Sequence, residues 1–160
     1  YNRVVTDLNG FTEEEFIEKI SEKCIVEDAD CEGAYHPEKK HTFGMYMGKK
    51  WYKLTAKKST FDESNPVEQL DVSILQKNLL TPVLNIGDPR TDKRIDFIGG
   101  IRGLKELEKR CKEDMTVAFS MYPTTLDDLM SIADANMIMP PKSTWFEPKL
   151  LSGLFIHKLK

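Results

Sequence analysis

Phe43, Met45 and Met47 alternate with polar or small neighbours, Gly48-Lys49-Lys50 interrupts the run, and Trp51-Tyr52-Lys53-Leu54-Thr55 returns. Two strand-like runs joined by a glycine-bearing turn read as an antiparallel hairpin. This pattern commits the chain to a sheet, and the remaining elements must supply the layers that cover it.

Those elements follow from hydrophobic spacing. Tyr1 to Leu8 reads as a strand through Val4, Val5 and Leu8, and Asn9-Gly10 turns after it. Thr12 is placed to cap a helix over Glu13 to Cys24, with three glutamates in the first turn and Phe16, Ile17, Ile20 and Cys24 on one face. Asp28 to Lys40 and Lys57 to Asn65 read as loops. A helix starting at Asn65-Pro66 or at Asp71 carries Leu70, Ile74, Leu75 and Leu79, with Pro82 near its end. Gly87 to Asp92 is turn chemistry, and Arg94 to Ile98 is a short strand. Leu104, Leu107 and Cys111 mark the next helix. Thr116 to Met121 is a strand with Val117, Phe119 and Met121 on one side. Thr125 and Asp128 form a capping pair before a helix bearing Leu126, Leu129, Met130 and Ala133. Leu154 to Leu159 alternates as a final strand. The order β-α-β-β-α-β-α-β-α-β predicts one α+β domain over residues 1–160: a mixed, mainly antiparallel sheet with helices packed on it.

The charge balance narrows the function. A net charge of -3 offers no general basic face for nucleic acid, and no apolar run reaches membrane-spanning length. An odd count of three cysteines without framework spacing suits a reducing compartment, so a cytoplasmic setting is expected. Tyr1 opens directly on a strand-like run, which reads as a fragment whose preceding partner is missing.

Most metal and nucleophile patterns are weak. Cys24, Cys31, His36 and His41 lie close together but lack a Cys-x-x-Cys knuckle. The phase of Cys111 places it with Leu104 and Leu107, as a core thiol. No Gly-x-Ser-x-Gly elbow is present. His157 is a lone histidine in the final strand.

Two loops carry the stronger signals. Gly99-Gly100 joins a strand to a helix, where backbone N–H groups can receive an anion, although the spacing is not that of a P-loop. Arg90, Lys93 and Arg94 precede it, with Asp92 and Asp96 placed to orient the guanidinium groups. The second loop is Met139 to Lys149. Its three prolines fix the path while Lys142, Ser143 and Thr144 present an amine and two hydroxyls, and Trp145 and Glu147 support them.

Three segments carry a resemblance: Asp88 to Gly100, Ala118 to Thr124, and Ile138 to Lys149. Together they resemble the domain-of-unknown-function 1015 family of bacteria and archaea, over about Tyr1 to Lys160. The resemblance implies a C-terminal portion of a larger protein, because family members continue upstream into an Asp-Gly-His-His-Arg-type motif similar to the nucleotide-handling ParB-like fold. It also implies a phospho-metabolite or kinase-like role, since members often lie beside serine-biosynthesis genes. No catalytic residue transfers to this chain.

The expectation is therefore half of a phospho-metabolite or nucleotide-handling enzyme. Arg90, Lys93, Arg94, Gly99, Gly100, Lys142, Ser143 and Thr144 would hold an anion, a nucleotide would be a possible cofactor, and the absent N-terminal region would be the partner. A small phosphorylated ligand is possible. The alternative is a non-enzymatic regulatory or interdomain scaffold module. If the enzyme reading holds, the two loops converge on one concave face.

Overall fold

The computed structural model describes residues 1–29 and 33–145. Six strands form one sheet: β1 (Asn2–Val5), β2 (Cys24–Asp28), β3 (Thr42–Met47), β4 (Lys50–Ala56), β5 (Ile95–Ile98) and β6 (Val117–Met121). Their order across the sheet is β2-β4-β3-β6-β1-β5, and every pairing is antiparallel. The helices are α1 (Glu13–Ser21), α2 (Asp71–Leu75), α3 (Lys105–Glu113) and α4 (Leu126–Asp134), and α2 runs on as a π-helical turn over Gln76–Leu80. The fold is α+β, as expected, with no parallel pair among the described strands.

The hairpin forms where its pattern requires. Met47 pairs with Lys50 across a two-residue turn, and Gly48 and Lys49 both take positive φ, 57° and 65°. That is the primed turn whose twist matches the flanking strands. Phe43, Met45 and Met47 point into the main core with Leu54, Val117 and Phe119, beneath α1 and α2. Alternate residues face the other way. Val4, Tyr46, Trp51, Ile98 and Ala118 form a second layer closed by Leu104 and Leu107 of α3. Trp51 Nε1 donates to Glu108 Oε1 at 2.9 Å and ties the hairpin to that helix.

Both capping pairs are present. The Thr12 hydroxyl accepts from the Glu15 N–H while the Glu15 carboxylate accepts from the Thr12 N–H, and Thr125 and Asp128 do the same for α4. Two expectations need correction. The first helix ends at Ser21 rather than Cys24, and Cys24 instead opens β2, an edge strand that was not expected. Of the two starts read for the second helix, α2 takes Asp71, after a run of turns. In α4 only Ile132 is fully buried, against Leu70 and Val72, whereas Leu126 and Met130 are exposed. The expected strand over Leu154 to Leu159, with His157, lies outside the described residues, as does Cys31. Among the described residues no helix is long and apolar enough to cross a membrane.

Candidate functional site

The proline-stiffened segment after α4 crosses the ends of β1, β5 and β6. Lys142 adopts φ 56°, a left-handed conformation uncommon for lysine, and this sharpens the bend that Pro140 and Pro141 begin. The bend is pinned from three sides. The buried Ser143 hydroxyl donates to the Pro140 carbonyl, Thr124 Oγ1 donates to the Ser143 carbonyl at 2.9 Å, and Arg3 Nη2 donates to the Lys142 carbonyl at 3.1 Å. Trp145 then lies on Gly99: a Cβ at that glycine would stand 3.1 Å from the indole ring. A side chain at this position would require the indole to shift by a few tenths of an ångström.

This packing encloses a cavity of about 310 Å3. Tyr1, Tyr122 and Trp145 give it aromatic walls, and Gly100, Ser143 and Thr144 reach its edge together with Asn2, Thr124 and Thr125. The Tyr1 and Trp145 rings meet edge to face, 5.1 Å between centroids. Lys142 carries the nearest amine of the bend, 5.3 Å over the Tyr1 ring and 5.6 Å over Phe97. Cation–π contact of this kind holds an exposed ammonium without neutralising it.

The structure thus brings Gly99, Gly100, Ser143, Thr144 and Trp145 together, with the Lys142 amine over the Tyr1 ring that lines the cavity. It does not bring the arginines there. Arg94 precedes the four-residue strand β5 and Gly99 follows it, so about 16 Å of extended chain separates them. Arg94 donates to the carbonyls of Leu84 and Asn85, at 3.1 and 2.6 Å, and to Asp92 at 3.2 Å. Arg90 forks onto Asp88, its Nη2 at 2.7 Å, and this hydrogen bonding holds the Asp88 carboxyl down to about 2. Lys93 is exposed and has no partner among the described residues. Asp92 serves Arg94, but Asp96 pairs with Arg110 of α3 at 2.8 Å. Glu147 lies outside the described residues.

Two features escaped sequence reasoning. One is the buried Arg3, whose side chain takes a core position on β1. The other is a cluster beside the cavity, where Lys40, Asp71 and Asp128 line a space of about 10 Å3 that also touches Tyr122 to Thr124. Asp71 Oδ1 accepts the His41 N–H at 2.8 Å, whereas Oδ2 is buried without a partner among the described residues. Burial pushes the Asp71 carboxyl up to about 7 despite the His41 N–H. No pattern in the sequence marks this place, because the left-handed His41 (φ 65°) that presents its N–H to Asp71 is visible only in the fold. The two thiols among the described residues are poor nucleophiles, because burial pushes Cys24 up to about 11 and Cys111 up to about 12.

Comparison with known proteins gives one match. Residues 1–73 match the family described as Protein of unknown function (DUF1015). This supports the family resemblance, although the three segments that carry it in the sequence lie beyond the matched residues. The match falls on the first part of the chain and gives no support to reading it as a C-terminal portion. No curated protein and no solved structure matches the chain.

Proposed function

We propose that this domain binds a small, ring-bearing, phosphorylated metabolite or nucleotide in the cavity beneath Trp145. One observation carries the reading: segments around Gly100, Tyr122 and Ser143-Thr144, far apart in sequence, line one aromatic and hydroxyl-bearing space. Tyr122 and Trp145 offer faces for a ring. Thr144 and the backbone at Gly100 offer hydrogen bonds, and the Lys142 amine supplies the positive charge within reach of the rim. As half of an enzyme in a reducing cytoplasm, the domain would hold the ligand while another segment of the protein performs the chemistry. A kinase-like reaction linked to serine metabolism comes from the family resemblance alone, and it makes phosphoserine and adenine nucleotides the first ligands to try.

Thermal melts and calorimetry with ATP, ADP and phosphoserine test this reading. A saturable rise in melting temperature that Thr144→Val and Lys142→Gly diminish supports it. Flat melts with all three at millimolar concentration exclude it. A second reading, an interdomain scaffold, is favoured by the internal bonding of Arg94, Thr124 and Ser143. On that reading the same substitutions change stability alone.

A further inference from the structure

We propose that Arg3 anchors a second binding site, which takes the carboxylate of a small, mostly apolar acid. Arg3 is 4% exposed, yet no carboxylate lies within ion-pair distance of it among the described residues. Arg90, Arg94 and Arg110 each pair with one or two carboxylates, and Arg102, which has none among the described residues, is exposed to water. A buried charge without a counter-ion is costly, and proteins remove such charges or pair them. Burial alone draws the Arg3 guanidinium down to about 10.

The side chain is held by what surrounds it. One terminal nitrogen donates to the Tyr1 carbonyl and the other to the Lys142 carbonyl, and the guanidinium carbon sits 5.5 Å from the Phe97 ring centre. A guanidinium has five N–H donors, so three remain for a ligand. Arg3 lines a cavity of about 290 Å3, walled largely by Val72, Pro89, Phe97, Pro140 and Pro141. This space is distinct from the one beneath Trp145, with Val72 alone common to their linings.

The walls select the ligand. A planar fork of donors matches a carboxylate, and proline, valine and phenylalanine walls match hydrocarbon rather than a second charge. Glu68 and Lys77 also line the space and pair with each other at 2.9 Å, so their charges offset and leave Arg3 as its unpaired charge. The Lys142 amine lies 5.6 Å from the same Phe97 ring centre and adds positive potential that draws an anion inward.

The full chain would be titrated with propionate, butyrate and benzoate, and with inorganic phosphate at matched ionic strength, following melting temperature and heat of binding. The monocarboxylates should raise the melting temperature saturably, with phosphate about tenfold less effective. Arg3→Met should abolish the rise. Ser73→Glu, which sets a carboxylate at the cavity wall, keeps the test decisive if that variant does not fold: it should melt higher than the native chain and ignore added acid. The carboxylate response should persist in Thr144→Val, which separates this site from the cavity beneath Trp145. A flat response to all three acids, equal response to phosphate, a response surviving in Arg3→Met, or a Ser73→Glu chain that still responds would each overturn the proposal.

Discussion

Arg94 and Arg3 stand at opposite ends of one antiparallel strand pair, β1 with β5, and they are bonded in opposite ways. Arg94 is about a third exposed and meets two carbonyls, the Asp92 carboxylate and, at 3.6 Å, Asp7. Arg3 is buried, meets two carbonyls and an aromatic ring, and has no carboxylate. The arginine in the conspicuous basic tract therefore fastens a loop, while the solitary arginine in an apolar run retains unused donors. Charge density along a sequence marks where cations are, and local bonding decides which of them remain available.

The sharpest way to break this contrast is to replace both by methionine. Arg94→Met removes charge-assisted bonds to a carboxylate and to two carbonyls that hold the 84–94 loop, and should lower stability by about 2–3 kcal/mol in urea unfolding. Arg3→Met exchanges a buried unpaired charge for an apolar side chain of similar length, so its cost should stay within about 1 kcal/mol. Equal losses would mean that Arg3 is a structural pin like Arg94.

The next largest effect belongs to Gly99. Adding a Cβ there presses on the Trp145 ring, and Gly99→Val should destabilise by about 1–3 kcal/mol through overpacking. It should also turn the indole outward, read as a red shift of tryptophan emission. An unshifted spectrum would show that Trp145 has room to spare and that the cavity wall is loose.

How much of this was legible follows from where the information sits. The hairpin, the two threonine caps and the alternation of Val117, Phe119 and Met121 are local patterns, and each is present in the fold. Strand β2 was not legible because it is an edge strand whose solvent face carries Ile25: Cys24, Ile25 and Val26 read as one apolar run continuing the helix, although only Cys24 and Val26 turn to the core. In α4 the sequence shows an apolar stripe, but only Ile132 reaches a partner. Of the site, Gly99 to Gly100 and Ser143 to Trp145 were marked by unusual composition. Arg3 carried no such mark, because its environment is set by register with Phe97 and by Lys142, 139 residues away. Asp71 reads as an ordinary helix-start acid until His41 and Asp128 are folded against it.

Asp71 makes a smaller and pH-dependent prediction. Its carboxyl lies near 7 in the folded chain, against an ordinary value of 3.8. Between these limits the folded state holds a proton that the unfolded state has released, so its contribution to stability falls as pH rises and is lost above about 7. Asp71→Asn removes this penalty while keeping an oxygen for the His41 N–H. The variant should match the native chain near pH 4 and exceed it by about 1–3 kcal/mol near pH 8. A constant difference across that range would mean that the acid is solvated.

Lys142→Gly separates binding from architecture most cleanly because its expected effect on stability is the smallest. Glycine accepts φ 56° freely, which offsets both its larger unfolded-state entropy and the lost contacts over Tyr1 and Phe97. The bend itself is fastened by backbone and hydroxyl groups that the substitution leaves in place. Net stability should move by less than about 1 kcal/mol. Among the described residues of the bend the amine is nonetheless the only side-chain cation, and it lies over the Tyr1 ring that lines the cavity beneath Trp145. If that cavity holds a phosphorylated ligand, Lys142→Gly should melt like the native chain and lose most of its response to ATP or phosphoserine. An unchanged response would assign the lysine to the scaffold and leave the cavity to uncharged ligands.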